Sequence, residues 1–227
     1  MRCAMMQPTY LPWLGYFEFM KRSDVFVIYD HVQFEKASWQ QKNRIRNRGG
    51  ELPLIVPVKR ESGLETRIKD VRIDHGRNPL RKHLTSIQHS YSKAPNFSKY
   101  YPEIEAIYSK KHAFLMDLNM DFIRLGMRVF GLGPTLLFSS EVGVEGMKVE
   151  GLVDAYGKLR ASHGVTEFYF PRGSKVYIDE NDLLEKNGIP YVYQNYEPPR
   201  YAQIDYPDFI SHLSFLDYIL NTDAPPF

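Results

Sequence analysis

Apolar positions along this chain switch repeatedly between continuous, strand-like runs and helical spacing. Residues 2–6 form a short run that predicts a first strand, and Pro8 and Pro12 hold the segment after it in a loop. Across residues 13–21, Leu14, Phe17 and Met20 recur at helical spacing. The continuous run Val25-Phe26-Val27-Ile28-Tyr29 then predicts a buried second strand ending at Asp30.

Between residues 42 and 48 the pattern becomes polar and alternating. Lys42, Arg44, Arg46 and Arg48 fall at a period of two, which places all four on one face of a strand. Gly49-Gly50 offers a hairpin turn, and the returning segment 52–58 carries Pro53 and Pro57 on a common edge, as an edge strand tolerates. The middle of the chain predicts helices at 80–91, 102–109 and 114–130, the last with Leu115, Leu118, Phe122 and Leu125 on one stripe and a stop at Gly131-Leu132-Gly133-Pro134. Strands follow at 136–138, 168–170 and 191–193, with helices at 151–162, near 182–186, and finally at 209–221.

Strands alternating with helices predict an α/β fold: one domain over residues 1–227, with a mostly parallel central sheet, flanking helices and an antiparallel hairpin near residues 42–58. The hydrophobic fraction of 43% is enough for a sizeable core. With 29 Lys and Arg against 27 Asp and Glu, the chain is neither a nucleic-acid-coating protein nor a disordered tail, so any anion site is local. A single cysteine, Cys3, excludes a disulfide framework and a multi-thiolate zinc site, which fits a reducing cytoplasm. No metal ligand set is assigned, and no run approaches the roughly 20 apolar residues of a membrane span. Sixteen Tyr and 14 Phe serve mainly as core, with some faces available for stacking on sugar or base rings.

Candidate chemistry falls in three places. The loop after the first strand, with Gln7, Thr9, Tyr10 and Trp13, occupies the position where open α/β sheets bind ligands. The bland alternative is that Pro8, Tyr10, Pro12 and Trp13 merely shape a buried turn. A second, denser group follows the second strand: Asp30, His31, Gln33, Lys36 and Trp39, then Lys42, Asn43 and Arg44. Arginine forks at 44, 46 and 48 suit a diphosphate, or else form a solvated strand face. Asp30 is a candidate general base or sugar anchor, or simply a turn residue. Near the end, Ser214 and Asp217 stand three apart on the predicted last helix with His212 on a neighbouring face, placing a proton shuttle or a packing histidine there. No P-loop, dinucleotide fingerprint, His-Glu-x-x-His or nucleophile elbow is present.

Three linked stretches carry a resemblance. They are residues 6–17 (Met6-Gln7-Pro8-Thr9-Tyr10-Leu11-Pro12-Trp13-Leu14-Gly15-Tyr16-Phe17), residues 24–34 with Lys36, Trp39 and Asn43-Arg44, and the closing Tyr201-Ala202-Gln203 with residues 213–221. In order and spacing these resemble the WbqC-like family of bacterial O-antigen and surface-polysaccharide loci, over nearly the whole chain. His31 stands where family members often carry a second aspartate, and Tyr169-Phe170-Pro171-Arg172-Gly173 stands where many have a Ser-Gly pair. The resemblance implies a transferase that N-acylates, for example glycylates, a nucleotide-linked amino sugar. Asp30 or His212 would then assist amine deprotonation. Gln7, Thr9, Tyr10, Trp13, Gln33, Lys36, Trp39, Lys42, Asn43 and Arg44 would contact substrate.

The partners so implied are a nucleotide-linked sugar and an acyl donor, whether acyl-CoA, an aminoacyl-tRNA or an ATP-derived adenylate. Sequence-specific nucleic-acid binding is not expected, and the aromatic-rich surface is compatible with a homodimer. Two other readings stand beside it. One is an adenylate-forming nucleotidyltransferase, loosely similar at the loop after the first strand, although Trp13-Leu14-Gly15-Tyr16 lacks both histidines of that class's helix start. The other is a non-catalytic nucleotide-sugar binder within a glycan-synthesis complex.

Overall fold

The computed structural model describes residues 1–60, 63–145, 148–180, 182–204 and 208–227. The chain opens with β1 (Arg2–Met6), α1 (Leu14–Lys21) and β2 (Val25–Ile28). An antiparallel ribbon, β3 (Lys42–Asn47) and β4 (Gly50–Ile55), follows, then the short pair β5 (Val58–Lys59) and β6 (Arg72–Ile73). Helices α2 (Pro79–Tyr91), α3 (Phe97–Ser109) and α4 (Leu115–Val129) lead into β7 (Thr135–Phe138) and α5 (Ser139–Val142). The rest is α6 (Lys148–His163), β8 (Glu167–Phe170), α7 (Lys175–Asp179), α8 (Leu183–Lys186), β9 (Tyr191–Tyr193) and α9 (Phe215–Asn221).

Beyond Arg2, β1 and β2 are apolar throughout because both faces of the sheet they build are covered. Ala4, Phe26 and Ile28 enter one cluster with side chains of α1 to α4 and α9. Cys3, Met5, Val25 and Val27 enter another with α6 and α8. The central sheet has five strands in the order β7-β2-β1-β8-β9, every neighbouring pair parallel. By order of appearance along the chain this is 3-2-1-4-5, a doubly wound sheet whose direction of progression reverses between β1 and β8. The α/β class, the parallel sheet and the hairpin match the sequence-based expectation, and the order makes the end of β1 the place to look for a ligand. No helix among the described residues is long and apolar enough to cross a membrane.

Several boundaries differ from expectation. The third helix begins at Phe97, so Pro102 lies inside it rather than at its start. The turn before Pro102 is drawn into the helix by docking on α9, where Asn96 donates from its backbone N–H to the Leu220 carbonyl (3.1 Å) and from Nδ2 to the Ile219 carbonyl (3.0 Å). The ribbon turns at Arg48-Gly49, with Asn47 paired to Gly50, and its return strand stops at Ile55, leaving Pro57 outside it. The basic face of β3 is solvated only in part: Arg46 is 5% exposed, Lys42 and Arg44 are half-buried, and Arg48 stands exposed in the turn beyond the strand.

The last helix starts at Phe215, six residues later than its periodicity predicts. The preceding segment commits its backbone elsewhere. Ser214 N–H donates to the Arg44 carbonyl (2.9 Å), Phe215 N–H donates to the Pro12 carbonyl (2.7 Å), and His212 takes a left-handed φ of 58°. Ser214 is therefore the helix cap, its Oγ accepting from Leu216 N–H, and His212 stands in the loop before it rather than on a helix face.

Candidate functional site

In a parallel sheet every strand delivers its following loop to the same edge, and here the segments after β1, β8 and β9 line an open cavity of about 660 Å³. Trp13 comes from the loop after β1. Arg172 and Gly173 come from the turn after β8, and Gln194, Tyr196, Glu197 and Arg200 from the segment after β9. Phe209, Ser211 and His212 close it from the loop before α9. The walls thus combine aromatic rings, two guanidinium groups, one carboxylate and one imidazole.

Each wall is fixed from behind. The Trp13 indole lies against Gly15, where a Cβ would fall 2.1 Å from the ring, so only glycine permits this pose. The indole meets the His212 ring at 4.9 Å and the Tyr196 ring at 6.1 Å. Gln194 Nε2 donates to Glu18 Oε2 (2.6 Å) and to the Gly15 carbonyl (2.9 Å), tying the segment after β9 to α1. Arg200 rests its guanidinium over Phe209, 5.2 Å from the centroid. Burial raises the Tyr196 hydroxyl above its ordinary range, keeping it a neutral hydrogen-bonding group.

The loop that carries Phe209 to His212 is clamped by Gln203. Its Oε1 accepts from Ile210 N–H, its Nε2 donates to the Ile210 carbonyl, both at 2.9 Å, and Nε2 also donates to Asp217 Oδ2 at 2.8 Å. Asp217 is fully buried and further accepts from Tyr91 (2.7 Å) and Tyr201 (2.6 Å). Burial raises its carboxyl above the ordinary range, and those hydrogen bonds oppose the rise. Asp217 is a structural hub behind the site rather than part of its lining.

Among the residues singled out from sequence, Trp13 and His212 meet at the cavity although 199 positions separate them. Tyr10 is fully buried, its hydroxyl 2.8 Å from His83 Nδ1 and also paired with Tyr108. Asn43 is buried too, donating to the carbonyls of Tyr10 (3.2 Å) and Leu11 (2.6 Å), and so shapes the loop. Gln7 Oε1 accepts from Gln40 Nε2 at 2.8 Å, and Thr9 Oγ1 is buried with no hydrogen-bond partner among the described residues. Asp30 accepts from Ser139 Oγ (2.8 Å), Ser140 N–H (2.9 Å) and Ser140 Oγ (2.7 Å), fastening the end of β2 to the β7–α5 junction. His31 Nδ1 lies 2.7 Å from the same Ser139 Oγ, so the serine stands between the imidazole and the carboxylate, and the trio lacks the serine-histidine-carboxylate order of a nucleophilic triad.

Gln33 and Lys36 are exposed, and Trp39, Lys42 and Arg44 gather on the ribbon side, outside the cavity lining. Sequence reasoning did not single out Arg172, Gln194, Glu197 or Arg200 as site residues. The first could be found by applying the switch-point rule once the strand order is known. The others lie in a segment whose prolines, Pro198 and Pro199, mask any periodic signal.

Fold and site together define a doubly wound α/β protein with a polar, cation-bearing cavity at its topological switch. The chain belongs to the WbqC-like protein family, whose profile matches residues 7–225. It is 27% identical over 225 residues to the uncharacterized protein Rv1507c of Mycobacterium tuberculosis, an alignment covering 98% of this chain and 94% of that protein. No solved structure matches it.

Proposed function

We propose that this chain is an N-acyltransferase of bacterial surface-polysaccharide synthesis, acylating or glycylating the amine of a nucleotide-linked amino sugar in the cytoplasm. One observation carries the reading: Trp13 and His212 meet at a cavity that also holds Arg172 and Arg200. Guanidinium forks match the oxygens of a diphosphate. The indole and the Tyr196 ring offer faces to a sugar or base. The volume lies within the range of about 300–1,000 Å³ usual for small-molecule sites.

In this reaction the sugar amine attacks the acyl carbonyl, a C–N bond forms, and the bond from that carbon to the donor's leaving group breaks. His212 takes the proton released by the amine and returns it to the leaving group, while Glu197 holds the amine before attack. The test supplies purified protein with nucleotide-linked amino sugars and acyl-CoA or aminoacyl-tRNA, and follows the amide by mass spectrometry. His212→Ala should slow the reaction by about 10²-fold or more. Arg172→Ala combined with Arg200→Ala should mainly raise KM. Failure to form an amide with any pair overturns the reading; if a nucleotide sugar nonetheless stabilises the protein, a non-catalytic binder takes its place.

A second reading, nucleotidyl transfer through an adenylate, draws on the 3-2-1-4-5 strand order, since such sheets hold nucleotides at the switch point. It requires pyrophosphate release from ATP. Against it, Trp13 and Tyr16 stand at the helix start where that class presents two histidines.

A further inference from the structure

Trp39 is a large aromatic side chain left 50% exposed on a firmly held loop. Its carbonyl accepts from Tyr10 N–H at 2.9 Å, and the next residue, Gln40, is pinned through its own carbonyl by Asn119 Nδ2 at 2.8 Å and through its side chain by Gln7. Ala37, two residues before, takes a left-handed φ of 61°, a conformation that costs a non-glycine residue free energy and is kept only where its surroundings impose it. The backbone that carries the exposed indole is therefore tied to the loop after β1 and to α4.

Two cations converge on that ring: Lys42 Nζ at 5.8 Å and the Arg44 guanidinium at 5.5 Å from the centroid. Both belong to β3, two residues apart, and so approach from the same strand face. Arg44 shares one edge of its guanidinium with Glu51 (2.7 Å), a pair whose side chains are 32% and 39% exposed. Such pairs are weak, and a phosphate, with more charge and more acceptor oxygens, displaces the carboxylate readily. The platform is also joined to the cavity, because the Arg44 carbonyl holds the N–H of Ser214, two residues from His212.

We infer that Trp39, Lys42 and Arg44 form a second subsite, which stacks the purine and holds the phosphate of a phosphorylated adenosine, the group that ends the acyl donor. The assignment to a donor rests on the acyl-transfer reading, whereas the subsite itself rests on the geometry of the ring and its cations. An exposed indole stacks on a base through its π-face, and adjacent cations supply phosphate contacts, the combination by which single-stranded nucleotides are held. Coenzyme A and the acceptor end of tRNA both present an adenosine with a neighbouring phosphate, so one chemistry serves either donor. The acceptor sugar keeps the cavity, and the two substrates approach from adjacent sides of the loop that carries His212.

The experiment reads binding without turnover. In Trp13→Phe protein, Trp39 is the one remaining indole, and its fluorescence is titrated with adenosine bisphosphate. Saturable quenching is expected, weakened by added salt, with Kd raised at least about tenfold in Lys42→Ala/Arg44→Ala. In protein with Trp13 intact, calorimetry should show a loss of at least about tenfold in Trp39→Ala and partial recovery in Trp39→Phe, which keeps a stacking face. Thermal melts of these variants check that the fold is intact.

The subsite is overturned by absence of saturable quenching at millimolar probe, by equal quenching with unphosphorylated adenosine, or by unchanged binding in Trp39→Ala. Stronger binding of coenzyme A than of a cytidine-cytidine-adenosine trinucleotide supports the subsite with a thioester donor. The reverse order supports it with an aminoacyl-tRNA. Specific binding at Trp39 alongside no amide formation would sink the transferase reading and leave the subsite standing.

Discussion

Gly15 and His83 show how much single residues decide here. A methyl at Gly15 would stand 2.1 Å from the Trp13 ring, and since Trp13 is only half-buried, the indole can swing away. Alanine also favours the helix by about 1 kcal/mol over glycine, so Gly15→Ala should leave stability nearly unchanged while displacing the ring from His212. The expected outcome is a normal melt together with a nucleotide-sugar affinity lowered by about tenfold or more, measured by calorimetry; retained affinity would remove Trp13 from the site. His83 is buried beside Tyr10 and the Ile55 carbonyl, and burial holds its imidazole down at about 4, against 6.5 when free. The folded state therefore refuses a proton that the unfolded chain accepts, and stability falls as pH drops from 6.5 towards 4, by about 3 kcal/mol from this group. Asp217 works with the opposite sign, since its raised carboxyl makes protonation easier in the folded protein. Denaturant unfolding of wild type and His83→Gln across that window isolates the histidine: the variant starts less stable and should lose less on acidification. Parallel curves would show that His83 already titrates normally.

Gly126 of α4 packs directly against the Phe17 ring of α1. A Cβ on Gly126 would lie 2.2 Å from the Phe17 ring, which is fully buried and packs on Phe215 at 5.0 Å and on Phe130 at 5.2 Å. Unlike Trp13, that ring has nowhere to go. Gly126→Ala should cost about 1–3 kcal/mol of overpacking, partly offset by helix propensity, and lower the denaturation midpoint; an unchanged midpoint would mean that the two helices slide freely. Elements whose structure is set by their own pattern were legible in the sequence. β1, β2 and α4 each carry one unbroken periodicity, and their positions follow from it. Elements set by distant partners were not. Pro102 reads as a helix start until α9 is seen holding the turn before it. Residues 209–214 read as helix until Arg44 and Gln203 are seen claiming their backbone, at Ser214 and Ile210. For the site the same division holds: Trp13 and His212 stand out by residue type, while Arg172 and Arg200 acquire meaning only from the loops that bring them together.

At the scale of the whole molecule, the sequence motifs converge because the strand order brings their loops to one edge of the sheet. The loop after β1, the β3–β4 ribbon and the segment before α9 are joined directly, through Ser214 to Arg44 and Phe215 to Pro12. Each motif alone is ambiguous, since proline, tryptophan and arginine serve turns, cores and surfaces equally well. Only the three-dimensional junction separates Tyr10 and Asn43, which build the framework, from Trp13 and His212, which face the cavity. The place of β1 has a consequence for how such a chain is made. Its partner on one side, β2, follows soon after it, but on the other side Arg2 pairs with Glu167, 165 residues away. During synthesis β1 leaves the ribosome with one edge bare and waits for β8, whose Glu167 is made 165 residues after Arg2, to cover it. A long wait with an open edge makes the nascent chain prone to pairing with its neighbours, so slow elongation or premature termination before β8 would be felt first as loss of yield.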